Sequence, residues 1–360
     1  MMYRKGNKVV YVINALNPGG AEMGLELLLD NGLFDDTDLH IICLSRSHSD
    51  LEERIVNKSK QAVIFLSDTP VNNKKLFYYA LKLHKYLQQL KPSVVITSLS
   101  QSVLAIRMIK AFHHFQHITF EHNTQFKNRS AWHLLKLTDR LSDRFWCDSV
   151  ATQKALLARA PGVENQIVPL FYVNDTAAVK NGYVAGEPFR LMAVGRLMAQ
   201  KNYPLLIQVV KALHEQGVSI ALDIFGEGEL AAELRAQAQG LTTVVTFRGF
   251  VRDWQSEAHH YDAYILLSDF EGLSIATLEA MSVGLPCIVK PVGELENYIV
   301  DRVNGLRVHT REDAVNAVSE LLNDADLRMT LGSNAKSYVA THYAENAFQA
   351  LIEQAKRTLE

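Results

Sequence analysis

Short apolar runs alternate with amphipathic segments along almost the whole of this 360-residue chain. An apolar run without polar alternation has no wet face, so it belongs to a strand covered on both sides. A strand–helix–strand repeat delivers such strands in parallel. In the first half the runs are KVVYVIN, DLHIICL, QAVIFL, SVVITS, HITFEH and RFWCDS, with GAEMGLELLLDNG, KKLFYYALKLHKYLQQL and SAWHLLKLTDRL among the segments between them. In the second half they are FRLMAVG, SIALDIFG, TVVTFRG, DAYILLS, PCIVK and GLRVH, spaced by YPLLIQVVKALHEQG, GELAAELRAQAQG and IATLEAMSVG. The pattern lapses over VNDTAAVKNGYVAGEP, residues 173–188, which carries Gly and Pro and no strong period. The length favours more than one domain. The expectation is an α/β chain of two Rossmann-like, parallel-sheet domains, residues 1–172 and 189–342, joined by a linker at 173–188. Residues 343–360 form a closing amphipathic helix that packs back on the first domain. The carboxyl ends of both sheets are expected to line a cleft between the domains.

Composition removes some function classes. A net charge of −2 gives no footing for nucleic-acid binding. The opening MMYRKGNKVVYVINALNPGG reads as a strand rather than a secretion signal, and no apolar stretch is long enough to span a bilayer. Cys43, Cys147 and Cys287 sit in or beside strand-like runs without metal spacing, which fits buried thiols in a reducing cytoplasm. Charge is uneven: residues 1–170 hold 21 of the 37 Lys and Arg but 15 of the 39 Asp and Glu, leaving 16 against 24 in the rest. A basic first half suits a surface that meets an anion or an anionic membrane, although two-domain chains also differ this much by chance.

The stretch EGLSIATLEAM holds two carboxylates, Glu271 and Glu279, with seven residues between them. The first follows the buried strand DAYILLS, and the second lies about a turn and a half into the next helix. The turn Gly272–Leu273–Ser274 lets backbone approach a ligand, Ser274 is placed to cap the helix, and the helix N-terminus favours a phosphate. The two acids would repel a phosphate but accept hydrogen bonds from hydroxyls on either side of it, which describes a nucleotide diphosphate-sugar. The competing reading is a solvated loop acid and a surface helix acid. VGRLMAQKN adds Arg196 and Lys201 after the first strand of the second domain, two cations for a diphosphate. FGEGE follows the next strand, where Gly226 and Gly228 permit a tight turn. FRGF follows the third, so that Phe250 is either a platform for a base or a core aromatic. Gly293 and Glu296 lie on a further loop at the same sheet end.

Taken in order, VGRLMAQKN, FGEGEL, EGLSIATLEAM with VGLPCIV, and VGELENYIVDRVNGL resemble glycosyltransferase family 4, the group 1 glycosyltransferases with the GT-B fold. The resemblance covers most of residues 189–310, with a weaker echo at NPGGAE, residues 17–22. It implies retaining transfer of a sugar from a nucleotide donor, with uridine as the expected base and without a metal or other cofactor. It implies that Arg196 and Lys201 hold the diphosphate, that Glu271 contacts the transferred sugar, and that Glu279 binds the ribose. Two departures stand out. VPLFYVND replaces an Asn-Gly pair at the end of the first domain, and VGELE replaces a double-glycine loop.

In the first domain, Gly19 and Gly20 follow the first strand and either bring amides to the donor or form a plain strand–helix turn. His122 ends the fifth strand and is either a polar contact to the sugar or reacting oxygen, as the resemblance implies, or a structural histidine. The cluster HHFQH, residues 113–117, reads as polar surface rather than a metal site. KKLFYYALKLHKYLQQLK and KNRSAWHLLKLTDRLSDR are basic and amphipathic; they either cover a sheet with their Lys stems snorkelling or, as the resemblance implies for the acceptor domain, face a lipid-linked or other glycan acceptor at the inner face of a membrane. The readings in view are a glycosyltransferase of surface-polysaccharide or glycolipid assembly, a non-catalytic sugar-nucleotide-binding subunit, and a nucleotide-sugar epimerase. A dinucleotide dehydrogenase is disfavoured because NPGGAE lacks G-x-G-x-x-G.

Overall fold

The computed structural model describes residues 7–125, 129–173 and 188–360. Residues 174–187, nearly all of the expected linker, therefore lie outside the described residues. The chain divides into two compact units, Met1–Phe171 with Phe348–Glu360, and Tyr172–Ala347.

The first unit runs β1 (Lys8–Ile13), α1 (Gly20–Asp30), β2 (Asp38–Cys43), α2 (Asp50–Lys58), β3 (Ile64–Phe65), α3 (Leu76–Leu90), β4 (Val94–Ser98), α4 (Ser100–Ile109), β5 (Gln116–Glu121), α5 (Arg129–Thr138), β6 (Arg144–Cys147), α6 (Val150–Arg159) and β7 (Asn165–Ile167). Its sheet has the order β3-β2-β1-β4-β5-β6-β7, with every pairing parallel. Val9 to Ile13 and Val94 to Ser98 are buried throughout, as expected of strands covered on both faces. The edges are short: QAVIFL contributes only Ile64 and Phe65, and the half-buried NQI of β7 carries no apolar run that could announce it.

The second unit runs β8 (Phe189–Val194), α7 (Tyr203–Glu215), β9 (Ile220–Phe225), α8 (Ala231–Gln237), β10 (Val245–Gly249), β11 (Ala263–Leu266), α9 (Ile275–Ser282), β12 (Cys287–Val289), α10 (Leu295–Tyr298), β13 (Leu306–Arg307), α11 (Arg311–Asn323) and α12 (Ala325–His342). Its parallel sheet has the order β10-β9-β8-β11-β12-β13. Thr310 and Asp313 form a capping box that starts α11. The last helix, α13 (Glu345–Lys356), counts with the first unit from Phe348 onward. Gln349 Nε2 donates to Asn31 Oδ1 (2.9 Å), and Asn7 Nδ2 donates to the Leu359 carbonyl (3.1 Å).

The reading of HHFQH as polar surface fails at His117, which is fully buried in β5. Burial, with Arg107 nearby, holds its imidazole down at about 3. Thr97 Oγ1 lies 2.9 Å from Nε2 and Ser142 Oγ 3.3 Å from Nδ1, so the neutral ring is hydrogen-bonded inside the sheet layer. The three cysteines are free and buried. No helix among the described residues is long and apolar enough to cross a membrane.

Candidate active site

The order of the second sheet reverses between β8 and β11, and the loops after these two strands border the crevice that such a reversal opens. The β8 loop is held in place by its neighbours. Gly195 N–H donates to the Phe225 carbonyl (2.9 Å), Leu197 N–H to Glu227 (2.8 Å), and Gly226 N–H to Gly249 (2.7 Å). The loops after β8, β9 and β10 are thus tied backbone to backbone. Gly226 has φ +137°, and a Cβ there would overlap the Gly195 carbonyl, so the close approach requires glycine.

Lys201 closes the short turn Ala199–Lys201 that follows. Its Nζ lies 2.7 Å from Glu271 Oε1, with the two side chains 15% and 6% exposed. Glu271 is therefore a buried, paired carboxylate rather than a solvated loop acid. The residues on either side reinforce the pair. Gln200 Nε2 donates to the Phe270 carbonyl (2.8 Å), and Asp269 N–H donates to the Gln200 carbonyl (2.9 Å). Asn202 Nδ2 (3.1 Å) and Lys290 Nζ (2.9 Å) both donate to Asp269 Oδ1, which joins the loops after β8, β11 and β12. Tyr203 is buried and its hydroxyl donates to the Gly195 carbonyl (2.9 Å). Burial, and then the Glu271 charge, push that phenol up. Arg196 stands exposed on the same loop as Lys201.

The turn from Glu271 to Ser274 is pressed from below. Gly293 has φ +61°, and a Cβ there would overlap the Glu271 carbonyl, while Glu294 N–H donates to the Gly272 carbonyl (2.9 Å). The expected side-chain cap by Ser274 is not formed. Ser274 adopts φ +59°, a left-handed backbone rare outside glycine, and its hydroxyl pairs with that of Thr277 (3.0 Å) instead. The Tyr298 hydroxyl braces this strained turn, lying 3.2 Å from the carbonyls of both Leu273 and Ser274. Glu279 is the fifth residue of α9 and only half-buried at its surface, yet desolvation pushes its carboxyl up to about 7, opposed by hydrogen bonds from Gln255 and Trp254. Phe250, just past β10, is 38% exposed, so it is not a core aromatic.

The first unit brings fewer of the expected residues together. Gly19 is the extended N-cap of α1 and Gly20 its first residue, at the carboxyl end of β1. His122 follows β5. Its Nε2 is 2.8 Å from Ser98 Oγ and its Nδ1 is 3.5 Å from Asp148 Oδ2, so groups from the ends of β4 and β6 face both ring nitrogens. Behind it, Arg159 pairs with Glu121 (2.6 Å) and Asp139 (2.7 Å), and Asp139 also pairs with Arg107 (3.0 Å), all buried. Gln200, Tyr203, Asp269 and Tyr298 were not singled out from sequence. Gln200 and Asp269 adjoin residues that were, so position in the motif was the available signal. The two tyrosines look like core aromatics in any periodicity.

Residues 176–338 match the family model described as Glycosyl transferases group 1. Curated relatives include the GDP-mannose-dependent alpha-(1-6)-phosphatidylinositol monomannoside mannosyltransferase of Mycobacterium tuberculosis, 28% identical over 189 residues, 49% of this chain and 49% of that protein. The chain thus spans about half the length of this relative. The O-antigen biosynthesis glycosyltransferase WbnH of Escherichia coli is 26% identical over 245 residues, 66% of this chain and 70% of WbnH. Among solved structures, Anabaena HepE in complex with UDP and glucose superposes with a TM-score of 0.79 at 15% identity, covering 98% of this chain and 99% of that one. At that identity the likeness is one of fold. The two parallel-sheet units are those of the GT-B architecture, and within the second of them residues 176–338 match the group 1 glycosyltransferases.

Proposed function

We propose that this protein is a glycosyltransferase that moves a sugar, with retention at the anomeric carbon, from a nucleotide diphosphate-sugar to a glycan or lipid-linked glycan acceptor of surface-polysaccharide or glycolipid assembly. The observation that carries this is the buried Lys201–Glu271 pair at the reversal point of the second sheet. An ammonium has three donors, and one directed at Glu271 leaves two for phosphate oxygens. Arg196 adds a planar fork on the same loop. As the bond from the anomeric carbon to the diphosphate breaks, negative charge grows on the departing oxygen, and preorganised cations stabilise it most at that moment. In this reading the side chains, rather than a metal, supply the counter-charge. Glu271 would lie beside the sugar ring as it gains positive character, and Glu279 would accept hydrogen bonds from the ribose.

Uridine is the base we expect. HepE was solved with UDP and glucose, whereas the Mycobacterium relative is GDP-mannose-dependent. Thermal stabilisation by a panel of nucleotides and nucleotide-sugars distinguishes the two, and product analysis with donor alone separates a transferase from an epimerase. A lipid-linked acceptor would bring the enzyme to the cytoplasmic face of a membrane.

Donor-titration kinetics test the placement of the two acids. Glu279→Gln should mainly raise the donor KM, because the ribose is unchanged in the transition state. Glu271→Gln should mainly lower kcat. The opposite split would reverse the assignment.

A further inference from the structure

Leu99, the single residue between β4 and α4, has φ +74° and ψ +149°, a backbone conformation almost confined to glycine. Glycine would carry no strain there, so the leucine side chain must have a use that offsets it. It is half-buried on the wall of a cavity. The cavity holds about 330 Å³ of empty space, part of it open to solvent, which is the small end of the range for ligand sites. Val103 and Leu135 continue its apolar wall, while Ser100 and Asn123 give it polar positions. The lining lies wholly in the first unit and comes from the start of α4, the end of β5 and α5.

The buried ionic network of this unit holds two parts of that lining in place. Arg107 Nη1 donates to the Leu135 carbonyl (3.0 Å), and Arg159 Nη2 donates to Glu121 Oε1 (2.6 Å), Glu121 being a lining residue as well. Asp139 joins the two arginines at 3.0 Å and 2.7 Å. Four charges taken out of water are tolerated only when they are well paired, and a hydrophobic core would serve stability as well. Here the pairing fixes the cavity floor. Strain at Leu99 and ionic bracing at Leu135 and Glu121 thus converge on one lining, as expected of a site organised before its ligand arrives.

The chemistry of the lining selects the ligand. Ser100 opens α4, so its N–H has no acceptor within the helix, and no side chain caps that end. A purely apolar group would leave this N–H and the Asn123 amide unpartnered. An anion would find no uncompensated cation, because the network charges cancel and Asp148 Oδ2 already faces the His122 ring, 3.5 Å from Nδ1. An acetamido group brings a methyl, a carbonyl acceptor and an N–H donor, one for each feature of the lining. We propose that this cavity receives the acetamido substituent of the acceptor sugar, with the methyl against Leu99, Val103 and Leu135 and the carbonyl at the Ser100 N–H. The acceptor class is then a 2-acetamido-2-deoxyhexose rather than its 2-hydroxy counterpart. That the ligand is a sugar rests on the glycosyltransferase reading of the preceding section; the cavity itself does not.

The test is NMR titration of the full chain, without donor, with the methyl glycosides of N-acetylglucosamine, N-acetylgalactosamine, glucose and galactose. At least one acetamido sugar should bind about tenfold tighter than its 2-hydroxy counterpart. Val103→Leu puts one more methylene into the cavity. It should cut that preference to about twofold or less, with the melting temperature unchanged or raised, as cavity filling does. Leu99→Gly should weaken acetamido binding about fivefold or more, while relief of the strained backbone keeps the melting temperature within about 2 °C of the native value. Equal binding of the paired sugars overturns the proposal, as does binding of none of the four. An acetamido preference undiminished in both variants overturns it too. Nucleotide stabilisation is read on the same samples, and its absence with the acetamido preference intact would count against the proposed donor chemistry alone.

Discussion

Both sheets reverse their strand order after the first strand of the unit, yet the two reversal points are closed by different chemistry. In the first unit Asn14, after β1, donates from Nδ2 to Gln101 Oε1 (2.7 Å) and accepts at Oδ1 from Ser102 N–H (3.1 Å). In the second, Lys201 after β8 meets Glu271 after β11 at 2.7 Å. The amide contact is neutral and uses both ends of the Asn14 side chain, so it pins β1 to α4. The ion pair joins the corresponding loops, and an ammonium that gives one of its three donors to Glu271 has donor capacity beyond it. Topology supplies a crevice twice, and residue type decides which of the two can accept a charged ligand without first breaking its own structure.

Substitutions at the two points should therefore fail in different ways. The largest expected effect is on chemistry: Lys201→Ala, and likewise Arg196→Ala, should cut transfer by roughly a hundredfold or more. Thermal melts of the same variants should show a folded protein. Near-native transfer by both would end the leaving-group assignment. Asn14→Ala should act on stability instead. It strands the Ser102 amide and the Gln101 carbonyl, at a cost of about 1–3 kcal/mol, readable by denaturant titration. Nucleotide affinity should stay within about twofold, since the residues proposed to bind the diphosphate are in the other unit. A drop in nucleotide affinity with unchanged stability would erase the contrast.

The smallest effect is a pH dependence. With its carboxyl pushed up to about 7 by burial, Glu279 is partly protonated near neutrality, and the ionised form is the better acceptor for ribose hydroxyls. The donor KM should fall roughly tenfold between about pH 6 and pH 8, and Glu279→Gln should flatten that change. Stability has the opposite sign. The folded value lies above the ordinary value of 4.5, so this group's stabilising contribution is full below about 4.5 and is lost as pH rises through about 7. A donor KM that does not vary with pH would remove Glu279 from the ribose.

Much of the fold was legible because a strand buried on both faces has to be written as an apolar run, and β1, β4, β8 and β11 are. The half-exposed β7 is not, and it went unseen. Glu271 and Lys201 were legible as residue types at strand ends, although their contact spans 70 positions and no local pattern encodes it. The supports were illegible for a related reason. Tyr203 and Tyr298 act through hydroxyls bound to main-chain carbonyls, and a carbonyl has no letter in the sequence. Ser274 looked like a helix cap because its neighbours suit one. The left-handed backbone that redirects its hydroxyl sits in a turn contacted by Gly293 and Tyr298, which belong to a later loop and helix. His117 was misread because a run of histidines looks wet, whereas Thr97 and Ser142, distant in sequence, make a dry place for it.

The backbone ties among the loops after β8, β9 and β10 also bear on how this protein can change. Lengthening any one of these loops by a residue would shift the others, since Gly226 has no room to move past the Gly195 carbonyl. If the sugar nucleotide binds here as proposed, variation in the donor is channelled away from loop length. It would fall to side chains outside the ties, among them Phe250 and Glu279, the residues proposed for the base and the ribose. A library that randomises those positions and leaves the three glycines alone would sample new donors on an unchanged frame.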